Sequence, residues 1–141
     1  EECIGTHVRG KEVPPEAREV LQSMNPTTTT VWSLGVGLDA SVDLALACMF
    51  KFTVHMFDAN PRVQEHMQAV NLLVGTREVT HPVEEPQHEG CEDCTGYWDG
   101  VSHSNVRKDQ LVFHERTVAG ADGELPLFQT PSSSWTTHPN P

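Results

Sequence analysis

Cationic side chains are scarce: nine Lys and Arg stand against twenty Asp and Glu in 141 residues, a formal net charge of -11. No cluster of Lys or Arg offers a track for a phosphate backbone, so nucleic acid is not expected as a partner. Long apolar runs are missing too. None approaches the ~20 residues that cross a bilayer, so no transmembrane segment is expected. No leader-like stretch follows Glu1, and the compartment stays open. Four cysteines (Cys3, Cys48, Cys91 and Cys94) are too few for a disulfide framework at this length, although Cys91 and Cys94 form a C-x-x-C pair. There is no internal repeat, and the length suits one domain with a sizeable core.

What is present is ordered most clearly in the middle of the chain. "VPPEAREVLQSMN" places prolines ahead of helix formers and predicts a helix from about Pro15 to Met24, a lead-in expected to pack on the main sheet. Val31–Leu34 is β-branched and aromatic, a strand that Gly35 ends. From Ser41 to Phe50 the residues are apolar nearly all round, which predicts an interior helix with Asp39 or Ser41 as its cap. "FTVHMFD" predicts a second buried strand ending at Asp58. Asn60-Pro61 then starts a helix in which Val63, Met67, Val70 and Val74 recur at helical spacing, closed by Gly75.

Strand, glycine turn, helix, strand, helix is the order of a parallel sheet with helices on its faces. Residues 80–109 lose this periodicity and read as a loop insertion. In "QLVFHERTVAGADGELPLF", two apolar segments flank Asp122-Gly123, which predicts a third strand from Leu111 to Val118, a hairpin, and a return strand from Glu124 to Phe128. The chain therefore divides into a lead-in over 1–29, an α/β domain over 30–128 and an extended Pro- and Ser-rich tail over 129–141.

The glycines leaving the first strand, Gly35 and Gly37, stand where an open α/β sheet lets a nucleotide-like ligand approach backbone amides. Asp58 ends the second strand about 20 residues on, where a carboxylate can accept both hydroxyls of a ribose. Each feature has a plainer explanation: the glycines relieve crowding, and the acid caps the next helix. Their occurrence together in this order favours a ligand site. "GVGLDA" also satisfies the dinucleotide fingerprint, so an NAD-binding oxidoreductase competes. Asp39 and Asp43 sit beside the helix start, where they would repel a pyrophosphate. S-adenosylmethionine has no phosphate and brings a sulfonium and an ammonium.

The blocks "VWSLGVGLDASVDLALA", "TVHMFDANP" and "FHERTVAGADGELPLF" resemble the successive motifs of FkbM-type and related S-adenosylmethionine-dependent methyltransferases. The resemblance spans Val31 to Phe128 and implies a class I, Rossmann-like fold with S-adenosylmethionine as cofactor. It implies Gly35 and Gly37 at the methionine end of the cofactor, Asp58 on the ribose, and Ala59 beside the adenine, with the Val118-Ala119-Gly120 turn on the other side. Ser33, Asp39 and Ser41 would be secondary contacts. It further implies O-methylation of a small-molecule or sugar hydroxyl. Domains of this type continue through further strands, so the chain reads as the cofactor half of such a domain, and no general base is identified. Oligomeric state is not legible.

Two sets of histidines fall outside this scheme. His55, in an apolar strand, reads as a packed core residue, and His114 as pointing outward. In the insertion, His81, His88, Cys91, Cys94 and His103 have the chemistry of a zinc site, but a single C-x-x-C among acidic neighbours fits a solvated loop or a local disulfide better. Tyr97 and Trp98 are placed to pack that loop back onto the domain. A noncatalytic interaction module is the remaining alternative.

Overall fold

The computed structural model describes Cys3 and residues 14–78, 96–124, 128–129 and 135–136. Helix α1 spans Pro15–Ser23, with Pro15 at its first position, where the missing N–H removes no hydrogen bond. It carries no buried residue, so α1 places no side chain fully inside the core. Strand β1 (Thr30–Leu34), helix α2 (Ser41–Phe50), strand β2 (Thr53–Phe57) and helix α3 (Pro61–Leu73) follow. Asn60 caps α3, its side-chain oxygen accepting the Arg62 N–H at 3.0 Å.

Both strand pairs of the sheet are parallel, in the order β1-β2-β3, with β3 at Leu111–His114. Trp32 lies opposite His55, Leu34 opposite Phe57, and Phe57 opposite His114. Strand residues alternate between faces. Val54 and Met56 of β2 join Leu44, Ala47 and Cys48 of α2 and Val63, Met67 and Val70 of α3 in one buried cluster, so the helices cover one face. On the other face Trp32 is 67% exposed and Leu34 57%, and His55, Phe57, Val112 and His114 are half-buried.

Residues 96–109 of the insertion are more ordered than their composition predicts. Helix α4 (Tyr97–His103) buries Tyr97, Trp98, Val101 and Ser102, and packs against α3. The aromatic pair does fasten this segment to the domain, as expected. A single 3-10 turn, Lys108–Gln110, leads into β3. Gln110 is 2% exposed, and its amide Nε2 donates to the carbonyls of Ala47 at 3.0 Å and Phe52 at 3.2 Å. Its Oε1 accepts the Arg107 N–H at 3.0 Å. The side chain thus ties the entry to β3 to both ends of the α2–β2 connection.

Two expectations are corrected. Strand β3 stops at His114, not Val118, because its neighbour turns away: the Asp58 N–H still bonds the His114 carbonyl at 3.2 Å, after which Asn60-Pro61 diverts the chain into α3. Among the described residues no strand pairs with residues 115–124, which are exposed throughout. Among the described residues no hairpin is seen at Asp122-Gly123, and residues 125–127 of the expected return strand lie outside them. Strand β4 (Phe128–Gln129) pairs instead, antiparallel, with strand β5 (Trp135–Thr136). The cysteines depart from expectation as well: Cys3 and Cys48 are joined, with Cα atoms 5.5 Å apart. Cys91, Cys94, His81 and His88 lie outside the described residues.

Candidate functional site

The site is built where β1 and β2 end side by side. Gly35 continues the ladder, its N–H donating to the Phe57 carbonyl at 2.9 Å. Two residues on, the Gly37 N–H donates to Asp58 Oδ2 at 3.1 Å. The other carboxylate oxygen, Oδ1, accepts the Asn60 N–H at 2.9 Å. One side chain thus holds both the turn after β1 and the turn after β2. An ionised carboxylate has about four lone-pair positions, so each oxygen keeps capacity for a further donor. Asp58 is half-buried and reachable from solvent.

Why these glycines are needed follows from the backbone. Gly35 has φ +72° and Gly37 φ +66°, left-handed conformations that cost other L-residues roughly 1–2 kcal/mol. A Cβ at either position would meet nothing within 4 Å. Crowding by the described residues is therefore not the reason for glycine, and they leave the space above the turn open.

At the start of α2, Asp39 accepts the Ser41 N–H at 3.0 Å and also the Ser41 hydroxyl. The residue at the cap position is Ala40, which makes no side-chain cap bond, so Asp39 performs this service from one position earlier. The chain's own carboxylate thus already lies against a helix N-terminus of the kind that attracts phosphates. Behind it, Asp43 is buried, and burial pushes its carboxyl above the ordinary value, opposed by a hydrogen bond from Ser33 and reinforced by the charge of Asp39.

Two further groups, Tyr97 and His66, support the turn. The Tyr97 hydroxyl accepts the Ala40 N–H at 3.1 Å and lies 2.8 Å from His66 Nε2. Burial raises the phenol's pKa above its ordinary value, so it stays protonated and available as a donor. His66 also packs against the rings of Tyr97 and Trp98. Neither His66 nor Tyr97 was singled out from sequence as support for this turn. Two aromatics inside an otherwise polar insertion were the available signal.

Of the residues predicted for the site, Gly37 and Asp58 meet directly, Gly35 is bonded to Phe57 just before Asp58, and Asp39 and Ser41 stand together at the adjoining helix start. Ala59 follows Asp58 and is half-buried, whereas Ala119 lies in the exposed stretch beyond β3. His55 is not the core residue expected: it sits on the open face of the sheet, 3.0 Å from His114. His103 is exposed at the end of α4, its Nδ1 2.7 Å from the Asp99 carbonyl of its own helix. Comparison with protein-family models, curated proteins and solved structures gave no match.

Proposed function

We propose that the chain holds S-adenosylmethionine across the ends of β1 and β2, as the cofactor-binding part of a Rossmann-like methyl-transfer domain. The observation that supports this best is the Gly37–Asp58 hydrogen bond at 3.1 Å, which unites an open glycine turn and a strand-terminal carboxylate at one point. The ribose hydroxyls would donate to the remaining lone pairs of Asp58, with Ala59 and Ala119 flanking the adenine. The methionine end would lie over Gly35 and Gly37, where no described side chain comes within 4 Å of an added Cβ.

The same geometry disfavours a dinucleotide. A pyrophosphate would have to displace Asp39 from the Ser41 N–H while standing near two carboxylates. A sulfonium and an ammonium face no such repulsion. In methyl transfer the protein mainly aligns an in-line displacement and excludes water, and the acceptor on this reading is a hydroxyl of a small molecule or sugar.

Calorimetric titration with S-adenosylmethionine, S-adenosylhomocysteine and NAD tests the proposal. Saturable binding of the two adenosyl compounds, and none of NAD, is expected. Binding of NAD alone would replace this reading with an oxidoreductase, and binding of none would leave an interaction module.

A further inference from the structure

Away from the glycine turn, two imidazoles meet on the face of the sheet that the helices leave uncovered. His55 of β2 is opposite Val112, and His114 of β3 is opposite Phe57, so the two histidines are diagonal neighbours on adjacent strands. His55 Nδ1 and His114 Nε2 face each other at 3.0 Å. The rings are inclined by only 16°, and the His114 ring stacks on Phe57 at a centroid distance of 4.5 Å. Each ring is half-buried and held by neighbours, so much of the rotamer freedom that a flexible pair would lose on chelation is already lost.

Two neutral imidazoles in contact share one N–H and one lone pair. If the donating ring takes its proton on its far nitrogen instead, both facing nitrogens present lone pairs. Zinc–imidazole bonds of about 2.0–2.1 Å at a tetrahedral angle separate the two nitrogens by about 3.3 Å, a few tenths of an ångström beyond the present spacing. Imidazole suits zinc, nickel and copper, and a chain of net charge -11 concentrates cations around itself.

We propose that His55 and His114 form a two-imidazole site for a divalent transition-metal ion of the zinc–copper class. Among the described residues no cluster of three or more His, Cys, Asp or Glu side chains is placed to hold a metal, so water fills the other coordination positions from the open face. From the neutral pair no proton is released: the donating ring's proton moves through solvent to its own second nitrogen. Affinity follows the order copper above zinc. This site is independent of the adenosyl reading and survives its failure.

The experiment is calorimetric titration of the full, disulfide-bonded chain with ZnCl2 in a non-coordinating buffer, beside His55→Gln, His114→Gln and the double variant. The remaining histidines give a background common to all four proteins. One class of sites present in the parent and weakened at least tenfold in each single variant, with the double variant no weaker than either, is expected. Equal binding by parent and variants, or loss in only one single variant, would overturn the proposal. Should a variant lose its cooperative thermal melt, pulsed electron paramagnetic resonance of the parent with one equivalent of Cu(II) decides: two coupled histidine nitrogens support the pair, and fewer overturn it.

Discussion

Breaking the link between Cys3 and Cys48 should remove a large share of the domain's stability. The two residues are 45 apart in sequence, and the chain-entropy model for a closed loop of that length gives about 4 kcal/mol at 25 °C. Cys48 is 1% exposed on α2, inside the cluster that α2 shares with β2 and α3, whereas Cys3 is half-buried. Cys3→Ser is therefore the cleaner perturbation. It leaves Cys48 as a free thiol that behaves as a small buried hydrophobe, while Cys48→Ser would add the cost of a buried hydroxyl. With a urea slope of about 2 kcal/mol/M, a loss of 4 kcal/mol moves the unfolding midpoint down by about 2 M. Urea unfolding followed by tryptophan fluorescence, with and without reductant, makes the measurement. The oxidised parent should stand alone at the higher midpoint, and the reduced parent should coincide with Cys3→Ser. Coincident midpoints for the oxidised and reduced parent would refute the reasoning.

The other predictions concern side chains that join separate segments. Asp58→Ala should weaken S-adenosylhomocysteine binding by about 1–3 kcal/mol, the scale of lost charge-assisted hydrogen bonds; an unchanged calorimetric dissociation constant would show that Asp58 serves only the two turns. Gln110→Ala strands two buried carbonyls and an N–H and should cost about 1–3 kcal/mol in a urea titration, against near-zero cost at the exposed Lys108. Asp43 has its carboxyl raised above the ordinary 3.8, first by burial. The native state therefore holds that proton more tightly than the unfolded chain. The resulting stability is full below the unfolded value and lost as pH rises through the folded one. Asp43→Asn should remove this loss, so urea midpoints of parent and variant should diverge from about pH 4 upward; parallel pH profiles would contradict the assignment.

Elements whose residues satisfy a local rule were legible. Pro15 and the Asn60-Pro61 pair mark helix starts by their own dihedral and capping preferences, and the observed α1 and α3 begin there. Gly35 likewise ends a strand because its left-handed backbone cannot continue one. Elements that depend on a neighbour were misread. Asp122-Gly123 has the composition of a hairpin turn, yet a turn does not pair strands unless an edge is within reach, and among the described residues none pairs with 115–124. His55 sits in an apolar string, but period-two alternation puts Val54 and Met56 into the core and His55 on the other face. Which face is buried depends on where both crossover helices land.

The candidate site divides along the same line. Its ingredients, a glycine turn and a strand-ending acid, are local and were visible as letters. That Asp58 holds Gly37, that Tyr97 reaches Ala40 from 57 residues away, and that Cys3 pairs with Cys48 are consequences of packing. By itself the sequence determined the parallel strand–helix order and the positions where the backbone must bend, because steric and capping preferences act over a few residues. Only the tertiary structure decided which carboxylates are buried, which cysteines meet and which imidazoles face each other, because those contacts form between segments that come together only when the core is closed.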